Sequence, residues 1–273
     1  MDLVSRAGTA LHPVEVDLLC TFAEVDAPFP IDVPASGESE VERAVLYRDA
    51  AASMRERGLA DERGPLDVAE EFVYLLRACT GVLDLVVTTD AGTRSVAVLT
   101  ARDDALVVSQ DSADTFGMVR MLPTTVDDAV DRLARLVPRT ETPLTTPFTL
   151  PRRAVRSAFD AMVARMPDDG GEPEPMTAAE IDELLRANGI TDRVASRMVA
   201  ALTPAVGSGQ AGVALRDDTE DQWRRVGAEL SWLDTPRGRY RIAVAEDDAW
   251  MSVNPLSHND LRAELRALAA RVR

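Results

Sequence analysis

The chain contains one strand–turn–strand pattern twice, and this repeat constrains its fold more than any other feature. In the first copy the turn Thr89–Gly92 leads into an alternating apolar run that ends at Asp103–Ala105. In the second copy the turn Thr235–Gly238 leads into a shorter alternating run that ends at Asp247–Ala249. Alternation of apolar and polar residues is typical of a half-buried strand, so each copy predicts an antiparallel meander. Two copies predict a two-lobed fold with quasi-twofold symmetry, which would create a groove.

Helical patterns stand before and after each predicted meander, which is an α+β arrangement. The capping-box sequence Thr177–Glu180 predicts the start of a helix in the second half. Between the halves, residues 167–175 read PDDGGEPEP and offer nothing to bury, so we expect an acidic, mobile linker over residues 167–176. The predicted organisation is a first half at residues 1–166 and a second at 177–273, together forming one compact domain.

Charge and composition exclude several classes of protein. The net charge is −16, which opposes binding to nucleic acid or to an anionic membrane because both need a basic surface. All the basic residues are arginine, so a Schiff-base lysine and a phosphate-loop lysine are excluded. No apolar run approaches the length of a membrane span. We therefore expect a soluble, cytoplasmic protein.

Catalytic and metal-binding patterns are weak. The segment Gly207–Gly212 matches G-x-G-x-x-G, but a predicted helix precedes it and a predicted strand follows, the reverse of a dinucleotide site. It therefore predicts a flexible connecting loop. The histidines are His12 and His258, and they lack ligand spacing with Cys20 or Cys79. We expect two buried, reduced thiols, although a disulfide stays open, and predict no enzyme, no metal and no cofactor.

The tryptophans are the most informative side chains for binding. All three, Trp223, Trp232 and Trp250, lie in the second predicted meander. Tryptophan is enriched in the energetic centres of interfaces, but it also fills cores in a chain with only 4% aromatic residues. Both roles stay open at this point, and we expect at least one tryptophan to be partly exposed.

Several segments, in order along the chain, resemble the EspG family. In the first half these are Pro28–Pro34, Glu42 and Arg57–Leu59. In the second half they are Gly207–Gly212 and Ser231–Tyr240, the latter similar to the family's D-T-P-x-G-R-Y strand–turn–strand. The resemblance implies an α+β fold with a central, mainly antiparallel sheet, two helical bundles and quasi-twofold symmetry.

The resemblance also implies a function. EspG proteins are cytosolic, non-enzymatic chaperones of type VII (ESX) secretion that bind the helical tip of PE–PPE heterodimers and keep them soluble before export. The expected client is thus a PE–PPE dimer or another helical-hairpin substrate, and the expected oligomeric state is a monomer or weak homodimer. By position, the predicted partner-binding residues are Ser208, Gln210, Arg216, Trp223, Trp232, Leu261 and Leu265. The alternative is a small-molecule-binding enzyme or sensor that uses the groove between the lobes.

Overall fold

The computed structural model describes residues 8–79, 81–165, 176–190, 202, 204–216, 223–244 and 249–272. The chain divides into two compact units, each discontinuous in sequence. The first comprises Met1–Arg139, Gly209–Glu229 and Asn259–Arg273, and the second comprises Thr140–Ser208 and Leu230–His258. The predicted linker lies, apart from Met176, outside the described residues, so the boundary there stays a prediction.

The first unit is a sheet with helices on both faces. Its strands pair in the order β1-β5-β4-β3-β2-β7, and β8 also pairs with β7. They are β1 (Thr9–Leu11), β2 (Gly81–Thr89), β3 (Gly92–Ala101), β4 (Asp104–Asp111), β5 (Val119–Thr125), β7 (Gly207–Arg216, of which this unit contains Gly209 onward) and β8 (Trp223–Arg225). Its helices are α1 (Pro13–Ala23), α2 (Glu40–Glu56), α3 (Val68–Ala78), α4 (Val126–Leu136) and α7 (His258–Ala269). The predicted α+β class with a mainly antiparallel sheet is confirmed.

The second unit contains four antiparallel strands that pair in the order β9-β10-β11-β6. Its strands are β6 (Phe148–Pro151), β9 (Leu230–Thr235), β10 (Gly238–Val244) and β11 (Trp250–Pro255), and its described helices are α5 (Arg152–Val163) and α6 (Ala178–Ala187). The α6 helix begins as predicted, because Thr177 and Glu180 form the capping box. The sequence also predicts a short helix at residues 192–202, which lies outside the described residues except for Leu202.

The core of the first unit follows from strand register. Residues directly opposite each other in paired strands point to the same face. Val82, Leu99 and Leu106 are aligned in this way across β2, β3 and β4 and are buried together with α1 and α3. The residues next to them in sequence point to the other face, where α4 lies against β4 and β5.

The predicted repeat is visible in the two hairpin turns. Gly92 has φ +119° and Gly238 has φ +118°, a conformation that favours glycine. In each turn the preceding threonine, Thr89 or Thr235, uses its Oγ1 to accept from the amide two residues later and to donate to the glycine carbonyl. The same four-residue turn is therefore built twice with the same hydrogen bonds.

Two expectations from the sequence are wrong. The segment Gly207–Gly212 is the first part of strand β7 and not a loop. A Cβ atom at Gly212 would lie 2.6 Å from Nη1 of Arg225, so this glycine provides room for a neighbouring side chain. The spacing of apolar residues over 38–57 predicts a helix with Val41, Val45 and Ala52 on its apolar face. In α2, however, Val41 and Val45 are exposed, whereas Ala50 and Met54 are buried. Periodicity identifies the helix correctly but selects the wrong face.

Candidate partner-binding surface

A surface cavity of about 310 Å³ lies in the first unit, beside strands β2, β7 and β8. Its lining consists of Pro28, Phe29, Val82, Asp84, Ala214, Trp223 and Arg225. Trp223 is half-buried and packs against the core cluster formed by α1, α3 and the sheet. Phe29 is 58% exposed, so the cavity has an aromatic residue on its rim and another that reaches into the core.

A charged pair lies at the base of this cavity. Asp84 is on β2, is only 1% exposed, and forms a two-pronged ion pair with Arg225 of β8. The Nη2 atom of Arg225 donates to Oδ1 of Asp84 at 3.0 Å, and its Nε atom is 2.7 Å from Glu229. The guanidinium group also lies 5.3 Å from the centre of the Phe29 ring, within cation–π range. These contacts fix the position of Arg225 among apolar neighbours.

The environment of Asp84 makes its charge depend on Arg225. Burial raises the pKa of Asp84, and the ion pair with Arg225 opposes that shift. A buried carboxylate without a partner is strongly unfavourable. Arg225 therefore stabilises the base of the cavity, while the aromatic walls offer an apolar surface.

Three predicted binding residues lie on β7, and one of them has a clear structural role. Nη1 of Arg216 donates to the carbonyl oxygens of Leu76 and Arg77, at 3.0 and 3.2 Å. These carbonyls lie in the last turn of α3, where the helix dipole favours a cation. Ser208 and Gln210 are half-buried strand residues, and their role in binding stays a prediction.

Other predicted contact residues lie in the core. Leu261 and Leu265 of α7 are 0% exposed, and Trp232 of β9 is 2% exposed. The apolar residues of α7 recur at helical spacing, which identifies the helix from the sequence. In the structure this apolar face is buried and is used for folding. In the structure these residues have almost no surface to offer a partner. Trp223 alone among the predicted residues lines the aromatic cavity.

In the second unit, the D-T-P-x-G-R-Y segment has a structural role. Asp234 and Arg239 stand opposite each other in β9 and β10 and are 4% and 0% exposed. Nε and Nη2 of Arg239 donate to the two carboxylate oxygens of Asp234, at 2.7 and 2.9 Å. Tyr240 is fully buried, and the Trp232 ring lies 5.6 Å from the guanidinium carbon of Arg239.

Sequence reasoning missed Phe29 and Arg225 as lining residues. Phe29 was part of the family-like segment but had no assigned role, and Arg225 stands in a polar stretch next to a tryptophan. The signal that could have found them is the proximity of an aromatic and a cation to Trp223, and it exists only in three dimensions. The expectation of a partly exposed tryptophan is confirmed by Trp250, which is 48% exposed.

Other chemistry is sparse in the part of the chain that the structure describes. Those residues include no cluster of three or more histidine, cysteine or acidic side chains placed to hold a metal ion. Cys20 and Cys79 are free and buried, and burial raises their pKa values to about 12 and about 11, which keeps both as unreactive thiols. Among the described residues, no helix is long and apolar enough to cross a membrane.

The α+β fold is similar to that of a solved type VII secretion chaperone. One solved structure is "Structure of the Mycobacterium tuberculosis type VII secretion system chaperone EspG5 in complex with PE25-PPE41 dimer". It aligns with a TM-score of 0.65 and 11% identity, covering 98% of this chain and 97% of that chain. The model of the EspG family matches residues 12–267, so the chain belongs to the EspG family. None of the curated proteins matches the chain.

Proposed function

We propose that this protein is a cytoplasmic, non-enzymatic chaperone of type VII secretion that binds the helical tip of a PE–PPE-like client. The observation that carries the proposal is the family match, which spans residues 12–267. The EspG5 structure was solved in complex with a PE25–PPE41 dimer, which supports a client of this kind. Other helical-hairpin secretion substrates belong to the same class of client.

The aromatic cavity of the first unit is the proposed contact surface. An apolar helical tip that is exposed before export favours aggregation. Phe29 and Trp223 offer apolar surface next to the fixed charge of Arg225, a combination found in the buried centres of protein interfaces. The net charge of −16 keeps the chaperone itself soluble. Release before export requires an affinity that is moderate.

Affinity capture from host lysate, followed by expression of the captured client with and without the chaperone, tests the function. The tagged chain should recover a PE–PPE pair, or another helical-hairpin substrate, from lysate of its own host, with the client identified by mass spectrometry. The same client expressed without the chaperone should move to the insoluble fraction. Recovery of a metabolite and no secretion substrate would overturn the chaperone proposal and favour the small-molecule alternative.

Point variants test the surface separately from the function. Phe29→Ala and Trp223→Ala should each weaken client binding by about tenfold or more, since truncating an interface anchor costs about 2 kcal/mol or more. Phe116→Ala is the matched control, because Phe116 is 72% exposed in the same unit and does not line the cavity. Client binding that persists unchanged in both cavity variants would place the contact surface elsewhere and leave the chaperone function intact.

A further inference from the structure

We propose that a second, smaller cavity in the first unit binds an oxyanion, a phosphate or carboxylate group. This cavity has a volume of about 50 Å³ and lies on the face of the sheet that α4 covers. Three arginines line it, Arg94, Arg120 and Arg132. Such a cluster is unusual in a chain whose net charge is −16. The field of the whole chain repels anions, so only a local concentration of cations can bind an anion.

The fold brings these arginines together from three elements. Arg94 on β3 stands opposite Asp111 on β4, and Ser109 on β4 stands opposite Arg120 on β5. Because Ser109 and Asp111 are two residues apart on one strand, all four side chains point to the same face. Arg132 comes from α4, which lies against β4 and β5. The cluster is therefore fixed by strand register and helix packing.

The hydrogen-bond donors of these arginines are incompletely used. Nη2 of Arg94 donates to Oδ2 of Asp111 at 3.2 Å. The Nε atoms of Arg94 and Arg132 are buried and have no hydrogen-bond partner among the described residues. Buried donors are nearly always paired in proteins, and guanidinium groups match the oxygens of carboxylate and phosphate groups. An oxyanion in the cavity would supply the missing acceptors.

The acidic residues in the lining have local partners of their own. Oδ1 of Asp111 accepts from the amide of Ala113, and Oδ1 of Asp114 accepts from the amide of Phe116, each at 3.0 Å. These contacts hold the carboxylate of Asp111 at the end of β4 and that of Asp114 in the turn that follows. Three arginines and two aspartates leave the lining with one excess positive charge, which suits one small anionic group.

Calorimetry and thermal unfolding of the full chain test the site, with sodium phosphate and sodium acetate as probes and sodium chloride holding the ionic strength constant. Arg120→Gln and Arg132→Gln should each weaken anion binding by about tenfold or more, because each variant loses one hydrogen bond to a charged group. Arg135→Gln is the matched control, since Arg135 is exposed on the same helix and outside the cavity lining. Its affinity should stay within about twofold of the parent chain.

A variant that strengthens binding keeps the test independent of folding defects. Asp114→Asn retains the Oδ1 acceptor and removes a negative charge from the lining, so anion affinity should rise several-fold. A response to phosphate alone identifies a phosphate site, and a response to acetate alone identifies a carboxylate site. The proposal would be overturned if neither anion bound. It would also be overturned if Arg135→Gln lost as much anion affinity as Arg120→Gln and Arg132→Gln, because the response would then be a general effect of charge.

Discussion

The buried ion pair between Asp234 and Arg239 gives the most exacting test of how the second unit is held together. The perturbation is Arg239→Met, which keeps most of the volume of the side chain and removes its charge. Asp234 is 4% exposed and receives two hydrogen bonds from Arg239, at 2.7 and 2.9 Å. The substitution therefore leaves a carboxylate in the interior without those two donors.

The expected cost can be worked from these contacts. A hydrogen bond to a charged group contributes about 1.5–3 kcal/mol, so the loss of two predicts about 3–6 kcal/mol. Breaking a buried ion pair by removing one partner costs about 3–5 kcal/mol by direct measurement on other proteins. The two values agree, and we expect the free energy of unfolding to fall by about 3–5 kcal/mol.

Urea unfolding followed by tryptophan fluorescence is the assay, because the Trp232 ring lies 5.6 Å from the guanidinium carbon of Arg239. Arg237→Met is the control, since Arg237 is exposed in the turn of the same hairpin, and it should change stability by about 0.5 kcal/mol or less. The double variant Asp234→Leu/Arg239→Met should regain much of the loss, because it removes the uncompensated charge. A loss below about 1 kcal/mol in Arg239→Met, or a double variant no more stable than the single one, would refute this reasoning.

Two further predictions use thermal unfolding. Gly92→Ala should lower the free energy of unfolding by about 1–2 kcal/mol, because alanine is strained at this positive φ. Gly238→Ala should lower it more, because its Cβ would also collide with the carbonyl of Glu141, whereas the Cβ at Gly92 would meet a movable serine hydroxyl. Equal losses of stability in the two variants would contradict the steric argument. The hydrogen bond from Arg262 lowers the pKa of Asp131 below its ordinary value of 3.8, so its stabilisation is present above pH 3.8 and is lost as the pH falls through the lowered pKa. Asp131→Asn should therefore lower the melting temperature at pH 7 and not in strong acid, and a deficit independent of pH would rule out this linkage.

The sequence predicted much of the fold because the elements of the sheet carry strong local signals. The turns at Thr89–Gly92 and Thr235–Gly238 each place a threonine three residues before a glycine, and both form the predicted hairpins. Thr125 and Thr177 both cap the helices that follow them. Such signals depend on residues only a few positions apart, so a single sequence contains all of the information that they need.

The candidate site was less predictable because it depends on residues distant in sequence. Asp84 and Arg225 are 141 positions apart and meet only through the placement of β2, β7 and β8. Leu261 was predicted to bind a partner, although it is fully buried, since periodicity identifies an apolar face without stating what covers it. The glycines at Gly207–Gly212 indicated a loop for a similar reason, because the approach of Arg225 to Gly212 has no local signature.

The residues that reveal the family are largely those that build its scaffold. In the D-T-P-x-G-R-Y segment, Asp234 and Arg239 form the buried ion pair, and Thr235 and Gly238 shape the turn. A sequence motif with these roles identifies the fold and says little about the client. Phe29 is the exception, since it belongs to a family-like segment and is also exposed on the rim of the cavity. Client selection should therefore depend on lining residues outside the scaffold motifs. Exchange of the aromatic lining residues between family members, with the Asp84–Arg225 ion pair kept, should transfer client preference.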